Sequence, residues 1–222
     1  MSLKSQMVRT SGTKSFASSQ QRPTRSKRKR IVEAAIKVFL KDGYAATTLS
    51  KVAEEAGVIR ATIYSHFKDK NELFVAIVEE LTVSKFGEGF EERLLTASPK
   101  EFILMLREFV QRQRQDTQFL ALLRTVIAES ERFPQLARLY FKTIFHRGIS
   151  VGCKYFEQHK ELGIKDPYAM AAVVGGSMMA CLIQQELLHG KEVAPLELGA
   201  VADILVELVS RSPARRTETS GQ

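Results

Sequence analysis

The chain has 222 residues, of which 44% are hydrophobic, which is enough to fill the core of one large domain or two modest ones. Its formal net charge is +8, but the basic residues are concentrated at the ends. Residues 1–30 hold nine Lys or Arg and no acid, residues 211–222 hold three Arg and one Glu, and the remaining body carries 21 basic and 24 acidic residues. We expect a disordered basic arm over 1–26 and a basic flexible tail over 211–222. Basic residues within 22–30 are candidates for phosphate or minor-groove contacts.

Several classes of protein are disfavoured by the composition. The N-terminus has no apolar leader segment, and the longest apolar run, residues 169–183, has 15 residues where a membrane span needs about 20. Cys153 and Cys181 lie in apolar helical stretches and are interpreted as reduced packing residues of a cytoplasmic protein. The four histidines are scattered and neither cysteine has a second ligand at a usable spacing. We therefore predict no membrane segment, no metal site and no cofactor.

The first predicted helix covers residues 28–41, where apolar residues recur at helical spacing, and Gly43 ends it. Thr48 is a plausible N-cap for a second helix. Gly57 then supplies a turn residue with positive φ, and a third helix follows almost at once. We expect Ile59, Ile63 and Phe67, spaced four apart, to share the buried face of that helix. Two helices joined by so tight a turn form a helix-turn-helix, whose second helix can lie in the major groove of DNA.

Helical patterns also account for the rest of the chain. Asp69 followed by Glu72 resembles a capping box at the start of a fourth helix. Gly87 and Gly89 interrupt the pattern, and there we place a domain boundary, between residues 85 and 86. Further helices are predicted near 100–114, 117–131, 134–160, 167–189 and 195–210, and no segment alternates with the period of a strand. The predicted fold is all-α, with a three-helix helix-turn-helix domain over 27–85 and a larger helical domain over 86–210.

Residues 28–81 resemble the DNA-binding domain of TetR-type (TetR/AcrR) transcriptional regulators. The matching residues are Ile31, Ala34, Ala35, Val38, Phe39, Gly43, Tyr44, Thr47, Thr48, Val52, Ala53, Ala56, Gly57, Val58, Thr62, Tyr64, His66, Phe67, Lys70 and Leu73. The resemblance implies sequence-specific binding to double-stranded DNA, most often as a dimeric repressor of a palindromic operator. It also implies a C-terminal domain that dimerises and binds a small hydrophobic effector.

The candidate DNA contacts lie on the predicted recognition helix and at two helix N-termini. Arg60 can reach a phosphate or the O6 and N7 atoms of guanine, and hydroxyl groups nearby can donate to phosphates. Free N–H groups and the helix dipole favour a phosphate at the two N-termini. An ordinary solvated helix face is the alternative for any one of these residues. The predicted contacts are Thr48, Arg60, Ala61, Thr62, Tyr64, His66 and Lys70.

This sequence departs from the family pattern at two positions of the recognition helix. Ile59 stands where the family usually has serine, so the usual hydroxyl cap is missing and a phosphate contact from that position is in doubt. Ala61 stands where the family often has glycine, and its Cβ blocks the closest approach of the backbone. The Ala61 methyl group can instead pack against a thymine methyl group.

Two C-terminal segments are candidates for a dimer interface. Residues 167–189 are apolar nearly all round, and residues 195–210 carry an apolar helical stripe. Two such helices from each subunit would form an intersubunit four-helix bundle, which the resemblance also implies. Burial of both helices inside one monomer explains the same pattern.

The C-terminal domain is rich in bulky and adaptable apolar residues, which suit an effector cavity. Plain core packing is the alternative for each of them. The residues predicted to line the cavity are Phe102, Met105, Phe109, Phe119, Arg124, Phe141, Phe145 and Met178.

Two other functions compete with a DNA-binding regulator. The run from Gly148 to Gly152 matches the G-x-S-x-G nucleophile elbow of serine hydrolases, with Asp166 and His189 following in the hydrolase order. That motif works on a strand-to-helix turn, whereas here it lies in a helical pattern. A dimeric ligand-binding protein that does not bind DNA is the second alternative, and the altered cap at Ile59 leaves it open.

Overall fold

The computed structural model describes residues 21–82 and 89–210, with side chains described from residue 27 onward. Every regular element within those ranges is helical, which confirms the all-α prediction. The α-helices are α1 Gln21–Ala46, α2 Leu49–Ala56, α3 Arg60–Tyr64, α4 Lys70–Leu81, α5 Phe90–Thr96, α6 Pro99–Gln115, α7 Thr117–Glu129, α8 Pro134–Tyr140, α9 Arg147–Gln158, α10 Pro167–Leu182 and α11 Leu198–Ser210. A π-helical turn, Phe141–His146, joins α8 to α9, and a second one, Ile183–Leu187, extends α10. Short 3₁₀ turns cover Lys160–Leu162 and Gly190–Glu192.

The start of α1 corrects the predicted extent of the basic arm. The helix begins at Gln21, so the backbone of residues 21–26 is helical and does not belong to a disordered segment. Pro23 does not prevent this, because a proline in the first turn removes no helical hydrogen bond. Gly43 breaks the helix with φ 75° and ψ 176°, as the sequence predicts. The rest of the arm, the tail over 211–222 and the proposed boundary between 85 and 86 lie outside the described residues.

Helix α5 was not predicted. It has only seven residues, Phe90–Thr96, and lies between Gly89 and the Ser98–Pro99 pair, which are turn signals on either side. Gly89 adopts φ 78° as the residue before the helix, and Ser98 starts α6 with a complete capping box to Glu101. Because of these flanking turn residues, the sequence predicted no helix between residues 87 and 99.

The helices form two halves that pack against each other. In the N-terminal half, α2 packs on α1, α3 on α2 and α4 on α1. In the C-terminal half, α9 packs along α10, and α11 lies on α6 and α10. The α9–α10 approach is close, because a Cβ atom on Gly152 would lie 2.8 Å from the Cβ atom of Ala171. The halves meet where α7 contacts α1 and where α8 and the following π-turn contact α4.

The long apolar helix over Pro167–Leu187 is buried on one side only. Its 21 residues are long and apolar enough to cross a bilayer by length and composition, a test that core helices of soluble proteins also pass. Val174, Met178 and Leu182 are buried against the neighbouring helices, whereas Val173 is 49% exposed. Within one chain this helix is therefore buried on one face and exposed on the other.

Candidate DNA-binding surface and effector cavity

The helix-turn-helix forms as the sequence predicts. Thr48 is the N-cap of α2, and its Oγ1 atom accepts a hydrogen bond of 3.2 Å from the Lys51 N–H. Gly57 ends α2 in the left-handed conformation, with φ 63° and ψ 40°, which side chains with a Cβ atom adopt only with strain. The Val58 N–H then donates to the Ala53 carbonyl at 3.0 Å, which closes the turn. These contacts fix the direction in which α3 leaves α2.

Two basic residues assigned by sequence to possible DNA contacts instead support the helix-turn-helix. The guanidinium of Arg28 lies 5.1 Å from the centre of the Phe67 ring, a cation–π distance. Arg30 donates a hydrogen bond of 3.0 Å to the carbonyl of Ala56, one of the last carbonyls of α2. Both side chains therefore tie α1 to the elements that present α3.

The face of α3 opposite the core is open to solvent. Ile63 and Phe67 are buried and hold the helix in place, while Arg60, Ala61 and Tyr64 are exposed, Tyr64 to 57%. Thr62 and His66 are half-buried at the edge of the same surface. The residues predicted to contact DNA on α3 therefore lie on one surface but differ in exposure.

Ile59 is not on the buried face where we expected it. It is 73% exposed, because it precedes α3 as the N-cap residue in an extended conformation, with φ −73° and ψ 153°. Helical spacing does not apply to a residue outside the helix, so the four-residue step from Ile59 to Ile63 carries no information about its orientation. Its side chain makes no capping hydrogen bond.

Lys70 is the first residue of α4, and its side chain is tethered within the protein. Its ammonium group donates to the carbonyls of Tyr44 and Ala45 and lies 4.0 Å from the centre of the Tyr44 ring. Burial lowers the pKa of Lys70, and the nearby carboxylate of Glu129 opposes that change. The predicted phosphate contact would therefore have to compete with this tether or be made by a backbone N–H at the start of α4.

Tyr44 connects the two halves of the chain. Its buried ring packs on Phe133, in the turn before α8, at a centroid distance of 5.3 Å. Its hydroxyl donates to the side-chain oxygen of Asn71 at 2.9 Å, and it also interacts with Gln135. Burial raises the pKa of this hydroxyl. Tyr44 therefore joins the start of α4 to the C-terminal half, in addition to the direct contacts of α4 with α8 and the π-turn.

A cavity of about 420 Å³ lies in the C-terminal half between α5, α6, the π-turn, α9 and α10. Its volume lies within the range typical of small-molecule sites. Four of the eight predicted pocket residues line it, namely Phe102, Phe109, Phe145 and Met178.

The other four predicted pocket residues lie outside this cavity. Met105 faces a separate groove between α5 and α6, because the cavity face of α6 is formed by residues 102, 106, 109 and 110. Phe119 is buried in the packing of α7, and Arg124 on the same helix donates to the carbonyl of Glu186 at 3.1 Å. Phe141 is 50% exposed and stacks on Phe145 from outside.

Small residues create the cavity, and the sequence analysis missed them. Gly148 and Gly152 on α9 and Ala171 and Gly175 on α10 form part of the wall. A Cβ atom on Gly148 or Gly175 would meet no atom within 4 Å, so the absence of side chains there leaves open space. Gly and Ala at helical spacing on two adjacent helices were the available signal, but Gly148 and Gly152 were interpreted only as part of the hydrolase motif.

Charged side chains stand at the edge of this apolar cavity. Glu91 on α5 accepts hydrogen bonds from the Nε and a terminal nitrogen of Arg147, at 2.7 and 2.6 Å. Each side chain is nearly half exposed, so solvent screens this pair. The ion pair links the start of α5 to the start of α9.

An apolar surface runs along α10 and α11. The exposed positions of α10 recur at intervals of three or four residues, and the same holds for α11, where Ile204 is 63% and Leu208 is 43% exposed. Small residues on α10 permit a close approach of another helix. The stripe comprises the exposed residues Ala169, Val173, Gly176 and Ala180 of α10, Gln184 in the π-turn that follows, and the apolar residues Ala200, Ile204 and Leu208 of α11.

The residues of the hydrolase motif have other roles. Ser150 lies inside α9, where its hydroxyl donates to the His146 carbonyl at 2.7 Å, so it is not at a strand-to-helix turn. Asp166 caps α10 by accepting from the Ala169 N–H at 2.9 Å, and His189 is on the surface. Among the described residues, no three potential metal ligands are grouped.

Two family models match this chain. Residues 31–77 match the model described as bacterial regulatory proteins of the tetR family. Residues 100–211, half of the chain, match the C-terminal domain of AefR-like transcriptional repressors. The chain belongs to the TetR family. Its TetR-family relatives are transcriptional regulators with a DNA-binding helix-turn-helix and are not enzymes, so the hydrolase alternative is wrong.

Individual TetR-family proteins are similar over different shares of the chain. The regulator AcrR of Shigella flexneri is 34% identical over 125 residues, which are 56% of this chain and 51% of AcrR. The matched stretches cover about half or less of the first curated relatives. A crystal structure of a TetR-family regulator from Mesorhizobium loti is 26% identical, with a TM-score of 0.63 over 84% of this chain and 96% of that one. FadR of Bacillus subtilis in complex with stearoyl-CoA shares the fold, with 20% identity and a TM-score of 0.57 over 83% and 98% of the chains.

Substitutions at Thr48 separate helix capping from DNA contact. We expect Thr48→Ala to lower the free energy of unfolding by about 1 kcal/mol, because α2 loses its N-cap. Thr48→Asp keeps a good capping residue and should leave stability nearly unchanged. Its carboxylate would repel a nearby phosphate, so it should weaken DNA binding. Chemical denaturation and fluorescence anisotropy with a duplex measure the two effects, and undiminished DNA affinity of Thr48→Asp would show that no phosphate lies at this N-terminus.

Proposed function

We propose that this TetR-family protein is a cytoplasmic, sequence-specific DNA-binding regulator that acts as a dimeric repressor. In this proposal a small hydrophobic effector releases the dimer from a palindromic operator. The observation that carries the proposal is α3, whose buried face is fixed by the helix-turn-helix while Arg60 and Tyr64 face solvent. Basic and hydroxyl side chains on an exposed recognition helix fit contacts to base edges and phosphates.

The proposed DNA contacts fall into four groups, on α3 and at the starts of α2 and α4. Arg60, at the first position of the helix, suits a phosphate or a guanine edge. Thr62, Tyr64 and His66 would donate to phosphates along the groove, and Thr48 would do so at the start of α2. Lys70 is proposed to have two roles. It ties α4 to the corner between α1 and α2, and it holds a positive charge near the start of α4. Ala61 would contact a thymine methyl group.

The apolar surface on α10 and α11 supports the proposed dimer. One face of each helix already packs within the monomer, so the exposed stripe is additional to the monomer core. An exposed apolar stripe of this extent on two adjacent helices marks an interface. Two pairs of such helices would form the four-helix bundle, and two-fold symmetry would place two recognition helices on two half-sites.

The cavity and the Tyr44 contact support regulation by an effector. A ligand lowers DNA affinity only if it binds better to a conformation that fits the operator poorly. The cavity wall includes residues of the π-turn between α8 and α9. That turn packs against α4, which packs on α1 together with the helix-turn-helix. Occupation of the cavity would thereby alter the placement of α4 and α3.

Binding-site selection from random duplexes tests the DNA-binding part of the proposal. We expect a two-fold symmetric consensus from the full chain, and Arg60→Ala should lower affinity for it by about 5- to 100-fold for each half-site, through loss of one good contact there. Gel shift or anisotropy at fixed salt measures this. A failure to enrich any sequence would favour the alternative of a dimeric ligand-binding protein that does not bind DNA.

Charge insertion into the apolar stripe tests the dimer. Ile204→Asp and Val173→Asp should each convert the protein to a monomer, because a buried unpaired carboxylate at the interface is strongly unfavourable. Ile127→Asp is the matched control, since Ile127 is 49% exposed on α7, away from the stripe. Sedimentation equilibrium gives the assembly state. Persistence of the dimer in both stripe variants would place the interface elsewhere.

Filling the cavity tests the effector. Gly175→Leu adds a side chain to open space on the cavity wall, and Gly199→Leu on α11 is the control outside the cavity. We expect hydrophobic ligands found by thermal shift, from a panel of acyl-CoA and neutral aromatic compounds, to lose affinity at least ten-fold for Gly175→Leu only. The same ligands should lower operator affinity of the unmodified protein. Equal ligand affinity for the free and operator-bound protein would contradict release by an effector.

A further inference from the structure

Ile59 is an unusual surface residue for this domain. Among the described side chains of residues 27–82, the large apolar side chains classed as exposed are Ile59, at 73%, and Tyr64, at 57%. Both lie on or at α3, whereas the other large apolar residues of these helices are buried or half-buried. Tyr64 carries a hydroxyl group that water can hydrogen-bond, but Ile59 presents only carbon atoms to solvent.

Folding does not explain an isoleucine at this position. Ile59 is the N-cap of α3, where Ser, Thr, Asp or Asn would stabilise the helix through a side-chain hydrogen bond. Ile59 makes no such bond, and its exposed side chain gains nothing from burial in the monomer. A residue that breaks a local rule without compensation in the fold is expected where function requires it.

The surroundings of Ile59 indicate what it would contact. Ile59 directly precedes Arg60 and is two residues before Ala61, and both of these residues are exposed. An apolar side chain therefore lies next to a positive charge at the N-terminus of the recognition helix. The N-terminal residues of such a helix contact base edges in the major groove. A side chain of carbon and hydrogen cannot hydrogen-bond to a phosphate or to a polar base edge. The apolar group that the major groove offers is the C5-methyl group of thymine.

We propose that Ile59 determines specificity by packing against the C5-methyl group of one thymine in each half-site of the operator. This inference rests on the proposed function, since it assigns a residue to the reading of the operator. The contact buries a methyl group on each partner and excludes water from between them, which gives discrimination without a hydrogen bond. It replaces the polar contact that a hydroxyl-bearing residue would make at the same position.

Replacement of thymine by uracil tests the contact, because it removes only the methyl group. After binding-site selection, each thymine of the consensus is changed to deoxyuridine in turn, in both half-sites together. At one symmetric position we expect affinity to fall about 15-fold, from about four-fold per buried methyl group in each half-site. Ile59→Ala should bind the thymine and uracil duplexes equally at that position.

Two control variants make the result specific to Ile59. Arg60→Ala should weaken binding to every duplex while keeping the same ratio between thymine and uracil. Ile59→Ser should restore a helix cap, melt at a higher temperature, and lose the preference for thymine at that position in a repeated selection. Because Ile59 is exposed, neither substitution at this position removes a core contact.

The outcomes distinguish this inference from the function on which it rests. A selected operator with no uracil effect at any thymine, or with the same effect in Ile59→Ala, would overturn the role of Ile59 and leave DNA binding intact. If no duplex were enriched by selection, the DNA-binding proposal would fail and the role of Ile59 with it.

Discussion

The packing of Tyr44 against Phe133 reinforces the contacts of α1 and α4 that place the DNA-binding helices relative to the rest of the chain. Tyr44 lies just beyond the break at Gly43, and its ring also meets Phe39 and Phe74, at 6.3 and 6.0 Å. Aromatic pairs of this kind contribute about 0.5–1.5 kcal/mol each beyond the burial of area. The three ring pairs of Tyr44 together are a substantial part of the free energy of unfolding of a domain, which is roughly 5–15 kcal/mol. Through this cluster, the C-terminal half holds both the end of α1 and the start of α4.

Much of the fold could be predicted because local signals agree with tertiary packing. Thr48, Gly57 and Asp69 specify helix ends by their own chemistry, and the structure places them as caps or turn residues. Helix α5 escaped prediction because its seven residues give too little periodicity between two turn signals. Ile59 was misplaced because spacing along a helix says nothing about a residue one step outside it. In these cases the deciding information was the backbone conformation at a helix end.

The site was harder to predict than the fold, because a cavity is defined by atoms that are missing. Bulky residues such as Phe119 suggested a lining, yet this side chain fills the core. Gly148 and Gly175 leave the space, and their role depends on how α9 and α10 lie together, which no local pattern specifies. Similarly, the basic residues near the N-terminus suggested phosphate contacts, but Arg30 uses its charge to hold the end of α2. Sequence indicates residue chemistry, whereas the partner of each residue follows from tertiary structure.

The route from the cavity to α3 is expected to depend on packing instead of a chain of hydrogen bonds. Ile144 and Phe145 belong to the π-turn that lines the cavity, and the same turn contacts α4. Tyr140, at its start, is buried 6.1 Å from Phe145, and its hydroxyl has no hydrogen-bond partner among the described residues. The π-turn between α8 and α9 has wider i to i+5 hydrogen bonding than an α-helix, a feature often found at functional sites. A ligand that moves Phe145 would therefore move the surface on which α4 rests, and the Tyr44 cluster would carry that movement to the start of α4.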